Sequence, residues 1–375
     1  MFIKIRVLIS FLFLVFVPLL SDAQVELIVW QTNPGAPQII LPQMNAETPE
    51  QAVERYRNAI MSEPDLAKLL PQQVANLNTG SVKKLEKTTT TKVRLNFIAN
   101  TFSDMTPTGE RILNNQKYFG LAGADPYVVA LAGDIGLSAS DSADFVEKLA
   151  SKSFVDLGVS LGGADIDPEL YNEKPDRESG VLEEKISKIR DAFELKLVKA
   201  YKKSGVLFFG ICRGHQMGAI ADGHKLYQDI TISGIGDSNE HGNVTESTSQ
   251  ARQTWHHLTM FSSLLERFSQ RLGLPEVNSI HHQSVRIIQD GASFVVAEFE
   301  KVVEALQGKP GPDGYSRSLS TQFHIEFPKE ISGNKEFSER GFEIIKGVVS
   351  YARFLRIQDK KNEKLKGSCR RVYAY

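Results

Sequence analysis

Cysteine is scarce in this chain: two among 375 residues, Cys212 and Cys369. That excludes a small disulfide-stapled scaffold, and a chain this long can bury enough apolar surface to fold without staples. Two cysteines allow one bridge, Cys212 to Cys369, and the basic surroundings of Cys369, "KKNEKLKGSCRR", argue against it. Charge of one sign is missing as well. With 44 Lys and Arg against 45 Asp and Glu, the net charge is -1, so no global field points to nucleic acid or acidic lipid. An internal repeat is lacking too, and so is an apolar run of the ~20 residues that a spanning helix needs. What the N-terminus does hold is Lys4 and Arg6, then "VLISFLFLVFVPLL" over residues 7–20, then Ser21-Asp22-Ala23 with small residues three and one positions before Gln24. That is the layout of a cleavable secretory signal. Residues 1–23 are therefore expected to be removed, leaving a secreted or periplasmic protein with no membrane span. No cysteine follows the run, so a lipid anchor is not expected.

The remaining composition, 41% hydrophobic and 24% charged, is that of a globular protein with one large core or two modest ones. Residues 24–92 read as an N-terminal extension and linker. Within them Thr48-Pro49-Glu50-Gln51 is a helix start, with Thr48 as cap and Gln51 closing a capping box, and Val53, Tyr56 and Ile60 mark one face. From Val93 strands alternate with helices: "VRLNFIA", a helix over 111–121, "PYVVALA", a short helix over 143–150, "VDLGVSLGG", a long helix over 182–201 and "GVLFFGI". That order predicts an α/β fold with a mostly parallel central sheet flanked by helices on both faces. "SFVVAEF" and "SLSTQFHIEFP" read as further strands and residues 337–355 as a closing helix. The main domain is thus placed at 93–357, followed by a basic tail, 358–375, read as a poorly ordered arm.

The stretch "GVLFFGICRGHQMG" carries the chemistry. An apolar strand runs into Gly210-Ile211-Cys212-Arg213-Gly214 and then a helix, the arrangement that presents a nucleophile on a sharp strand-to-helix turn. A thiol there lies near a helix N-terminus, which favours thiolate, and the amide just after it can face a developing oxyanion. Taken alone, Gly-x-Cys-x-Gly serves a buried structural cysteine as well. Three other features bear on the choice. "QFHIEF" spaces His324 and Glu326 two apart, which in a strand puts both on one face, the carboxylate supporting the imidazole. Gly162-Gly163, after a strand that ends at the same sheet edge, offers a second oxyanion donor, though a double glycine also serves a plain turn. Gln216, one turn into the helix, can bond a substrate's polar end or be an ordinary helix-face residue. The pairs His256-His257 and His281-His282 raise the question of zinc, but adjacent histidines in extended chain point apart, so no metal is expected.

Together "GICRGHQ", "GGADIDPELY" and "QFHIE" resemble the class I glutamine amidotransferase fold, and "RDAFELKLVKA", "KLYQDI" and "VNSIHHQSV" make the chain more similar to its gamma-glutamyl-gamma-aminobutyrate hydrolase branch, the C26 peptidases, over residues 93–355. The resemblance implies Cys212 as nucleophile, His324 as general base and acid, and Glu326 as its orienter. It implies an oxyanion hole from the Arg213 amide and an amide of Gly162 or Gly163, substrate contacts from Gln216, His282 and Gln283, and no cofactor. Its substrate would be a small gamma-glutamyl compound or peptide, with no nucleic acid partner, and a homo-oligomer is compatible with it. The chain departs from the family pattern at Leu161 and Ile325, where proline is usual, and at Asp222 and His224, where small residues are. The alternatives are a glutaminase or amidotransferase subunit and a non-catalytic binding protein that retains the fold.

Overall fold

The computed structural model describes residues 25–67, 80–88, 91–100, 102–105, 110–176, 187–241, 254–269, 276–288, 291–327 and 333–372. The expected signal segment lies outside them, as do the first residues of the helix expected from 182.

Strands β1 (Glu26–Gln31), β2 (Ile39–Gln43) and β3 (Ser81–Lys84) come from the N-terminal stretch. Then β4 (Val93–Ile98), β5 (Ala124–Val129), β6 (Leu157–Ser160) and β7 (Leu207–Ile211) alternate with helices. Five short strands follow: β8 (Lys225–Tyr227), β9 (Trp255–His256), β10 (Thr259–Met260), β11 (Val277–Asn278) and β12 (Ser284–Arg286). Last come β13 (Ser293–Phe299), β14 (Val302–Gly308) and β15 (Ser318–Thr321). The main sheet has eleven strands in the order β10-β13-β14-β15-β7-β6-β4-β5-β2-β1-β3. Its centre, from β15 to β2, is parallel throughout, and both wings are antiparallel.

Parallel strands covered on both faces read as unbroken apolar runs, and β7 is buried at every residue. Phe209 faces one core with Leu95, Phe97 and Val159, while Phe208 faces the other with Ile98 and Val129. Helices α1 (Pro49–Ser62), α2 (Glu110–Leu121) and the long C-terminal α6 (Lys335–Val372) cover the first face. Helices α3 (Ala139–Leu149), α4 (Lys188–Ser204) and α5 (Arg213–Ala221) cover the second. The cap of α1 is as expected: Gln51 N donates to Thr48 Oγ1 at 3.2 Å and Thr48 N to Gln51 Oε1 at 2.7 Å.

Two sequence boundaries shift. Part of the N-terminal extension belongs to the sheet: β2 pairs in parallel with β5, and Ile28, Trp30, Ile39 and Leu41 are buried with Leu95 and Phe97 in one core. The basic tail is helical as far as Val372, because α6 continues past its last inward residue, Leu355. Charge pairs anchor that continuation. Asp359 accepts from Arg317 at 2.9 Å and lies 2.9 Å from Lys152, and Arg356 reaches Asp156 at 2.9 Å.

Candidate active site

Parallel strands end at a common edge, where β6, β7 and β15 deliver their following residues. The turn after β7 is tight. Cys212 takes the strain itself, at φ 52° and ψ -108°. The flanking glycines have ordinary φ, and what they supply is room. A Cβ on Gly210 would lie 2.4 Å from the Gly214 carbonyl oxygen, and one on Gly214 would lie 2.1 Å from the Ser160 carbonyl oxygen. The Gly-x-Cys-x-Gly spacing therefore lets α5 start against β6 and β7. The Cys212 amide donates to the Thr321 carbonyl at 2.8 Å, and its free thiol is buried.

His324 and Glu326 meet, but not on a strand face. Strand β15 stops at Thr321, and both residues sit in the turn beyond it. Main-chain bonding to β14 ends at Gln322, and Asn278 then takes the place of a neighbouring strand. Its Oδ1 accepts from the His324 amide and its Nδ2 donates to the His324 carbonyl, both at 2.9 Å. A carboxamide offers one donor and one acceptor, as a strand residue does. His324 Nδ1 lies 2.7 Å from Glu326 Oε1, and its ring stacks on Phe327 at 4.5 Å between centroids. Burial alone would lower the His324 pKa. The Glu326 carboxylate and the Cys212 sulfur more than offset it and raise the pKa to about 10. Gly162 closes the group: a Cβ there would lie 2.5 Å from His324 Cε1 and 3.4 Å from Cys212 Cβ.

The other expected site residues divide. The Gly162 carbonyl accepts from Asn100 Nδ2 at 3.3 Å and from Arg111. In a trans peptide that puts the Gly163 N–H on the opposite side of the plane. The Arg213 side chain runs into a buried charge network with Asp191, at 2.6 Å, and Glu194, so only its main chain is left for Cys212 chemistry. Gln216 is buried, and its Nε2 donates to Gln322 Oε1 at 3.2 Å and weakly to the Gln283 carbonyl, so that nitrogen is committed within the protein. The Gln283 side-chain amide is buried with no partner at either end. His282 lies between Asp165, at 3.1 Å, and Asp229, at 3.5 Å. Burial works against a charge on His282, and the two carboxylates outweigh it and raise its pKa.

Sequence reasoning missed Asn278, and it missed the network under the elbow. In "RDAFELKLVKA", Arg190, Asp191 and Glu194 are buried with Arg213 and Asn100. Arg190 and Glu194 fall on the helix face of Phe193 and Leu197, at steps of three and four residues, and charge on an apolar face was the signal that could have revealed them. The adjacent histidines do point apart. His257 is exposed and His282 faces the acids, yet His256 and His281 converge with His241 and Glu304.

A strained cysteine at the carboxyl edge of a parallel sheet, beside a histidine-carboxylate pair, defines an α/β protein of the glutamine amidotransferase-like class. The chain belongs to the peptidase C26 family, whose model matches residues 128–326. It is 32% identical over 195 residues to the glutamine amidotransferase-like protein YvdE of Lactococcus lactis subsp. lactis, covering 51% of this chain and 73% of that one. A YvdE homolog of Lactococcus lactis subsp. cremoris is 34% identical over 140 residues, 36% of this chain and 67% of that one. Among solved structures, a glutamine amidotransferase of Thermotoga maritima aligns at 16% identity with a TM-score of 0.42, covering 70% of this chain and 98% of that one. Family membership supports amide hydrolysis as the class of activity.

Proposed function

We propose that the protein is an exported cysteine hydrolase that cleaves gamma-glutamyl amide bonds through a glutamyl thioester. The observation that carries this reading is His324 held by Glu326 at 2.7 Å, with Gly162 packed against both its ring and Cys212 Cβ, at a cysteine whose φ is 52°.

A thiolate at Cys212 attacks the amide carbonyl carbon, and the π electrons move to oxygen. The Arg213 amide and that of Gly163 or Gly162 stabilise this oxyanion. As the tetrahedral centre collapses, the C–N bond breaks and the amine leaves with the proton of His324 Nε2, giving the thioester. His324, now neutral, takes a proton from water as the hydroxide adds to the thioester carbon. The second collapse breaks the C–S bond, releases glutamate and restores the thiolate beside imidazolium. Glu326 holds Nδ1 throughout, which fixes the ring and steadies its charge. Gln283, buried with an unpartnered amide, suits the polar glutamyl head group, and His282 is the other expected substrate contact. The substrate is a small gamma-glutamyl compound or peptide. Export rests on Lys4, Arg6 and the apolar run after them, and cell fractionation tests it.

The decisive measurement is release of glutamate from a panel of gamma-glutamyl amides by wild-type protein and by Cys212→Ala. The reading requires hydrolysis by the first and none by the second, with wild type labelled at Cys212 by a gamma-glutamyl electrophile. Equal rates, or no labelling of folded wild type, would overturn it.

A further inference from the structure

Away from Cys212, four side chains from distant parts of the chain meet in the interior. His241 ends the single helical turn Ser238–His241, His256 lies on β9, His281 follows β11 and Glu304 is on β14. Their exposures are 1%, 5%, 4% and 0%. One potential ligand atom from each lies within 4.8 Å of all the others. His281 Nε2 is 3.4 Å from Glu304 Oε1, His256 Nε2 is 3.5 Å from it and His241 Nδ1 is 3.9 Å.

A cluster this dry should be satisfied internally, and it is not. Both Glu304 oxygens, both His256 nitrogens and His281 Nε2 lack a hydrogen-bond partner of proper geometry. The tautomer of His281 sharpens the problem. Its Nδ1 lies 2.9 Å from the Gln283 carbonyl, which can only accept, so Nδ1 carries the proton. In the neutral ring the Nε2 lone pair then faces a carboxylate. Two lone-pair carriers at that distance inside a protein repel unless a positive charge, a proton or a metal ion, lies between them. An imidazole whose far nitrogen is fixed by a main-chain carbonyl is also the usual arrangement of a metal-binding histidine.

We propose that His241, His256, His281 and Glu304 form a closed binding site for one divalent transition-metal ion, with zinc the best fit. Three imidazoles and one carboxylate suit zinc and its first-row neighbours better than magnesium or calcium, which prefer all-oxygen shells. A tetrahedral ion with bonds of about 2.0–2.1 Å sets its ligands roughly 3.3–3.4 Å apart. The His281 and His256 contacts to Glu304 already approach that, and His241 needs a small rotation. With every position filled by protein the site is structural, and the chemistry at Cys212 does not pass through it. Its effect reaches the active site by position. His281 lies three residues after Asn278, which clamps the His324 main chain, and Gln322 N donates to the Glu304 carbonyl at 2.8 Å. An ion here ties the loop that holds the histidine to the sheet. The proposal is independent of the gamma-glutamyl reading.

The test uses untagged full-length protein, stripped with chelator and titrated with Co²⁺ and then Zn²⁺. Expected are the visible bands of four-coordinate cobalt saturating at one ion per chain, their displacement by one equivalent of zinc, and a higher melting temperature with zinc bound. Glu304→Gln and His281→Ala should weaken binding by more than the ~10–100-fold that loss of an outer-shell partner costs. His257→Ala, at an exposed position beside the cluster, should bind as wild type does. Because the substituted proteins can fail to fold, the wild-type stoichiometry decides. Folded wild type that takes up well under one ion per chain and shows no cobalt bands overturns the proposal. Binding that is lost with His257→Ala overturns it as well.

Discussion

Gly162→Ala is the sharpest probe of the site, because one methyl group acts on its geometry alone. Gly162 is not among the residues in the left-handed region, so alanine costs no backbone strain there. Its Cβ would lie 2.5 Å from His324 Cε1, 3.3 Å from Nε2 and 3.4 Å from Cys212 Cβ. Ordinary carbon contacts are about 3.5–4.0 Å, so something must move by roughly 1 Å. The main chain at 162 is held through its carbonyl by Asn100 and Arg111, and the imidazole is the freer of the two. The ring can retreat only by giving up its 2.7 Å contact with Glu326 or its stacking on Phe327. A displacement of about 1 Å costs around 100-fold in rate. The expectation is therefore a fall of that order in kcat on a chromogenic gamma-glutamyl anilide, with KM changed far less and the circular dichroism spectrum unchanged. Activity within a few-fold of wild type would show that the ring does not work where it lies.

Three further outcomes follow from the same geometry. The His324 pKa is raised from 6.5 to about 10, so the stability its ion pair contributes is fully present below pH 6.5 and is lost as the pH rises through about 10; the alkaline limb of kcat/KM should fall near that value and move down in Glu326→Gln, and a limb that stays put refutes the pairing. Asn278→Ala removes two main-chain bonds and leaves buried polar groups of His324 unpaired, which should cost about 1–3 kcal/mol in denaturant unfolding and lower kcat, whereas an unchanged kcat would mean that the clamp does not position the ring. Arg213→Met leaves Glu194 buried without its cation and Asp191 with Arg190 alone, and should destabilise by about 3–5 kcal/mol, a loss absent if the network is not formed in solution.

The elbow was legible because its requirements are local. A buried strand, a bend and two close backbone approaches write themselves into consecutive residues, and "GVLFFGICRG" states them all. The pairing of His324 with Glu326 was legible for a different reason than its geometry. Spacing by two implies a strand face, and the contact forms although β15 has already ended. The two residues remain close because a turn also brings such neighbours together. What could not be read is whatever depends on strand order. Asn278 comes 46 positions before His324, and the two meet only through the fold's long-range order. The network under the elbow was hidden by the expectation that helix charges face solvent, although Arg190 and Glu194 fall at three- and four-residue steps on the face of Phe193 and Leu197.

The same logic explains the histidines. Adjacent side chains in extended chain do diverge, and His257 and His282 leave the cluster as that argument requires. The argument concerns pairs within one segment, whereas a buried ligand set draws one member from each of several segments. Here β9, the segment after β11 and β14 each contribute one residue, and a short helix contributes the fourth. Asn278 and His281 stand at opposite ends of one four-residue stretch, the first holding the histidine of the Cys212 site and the second reaching Glu304. An ion at the proposed site would fix that stretch at both ends, and the position of His324 with it. The placement of the imidazole beside Cys212 therefore depends on residues that never approach the thiol.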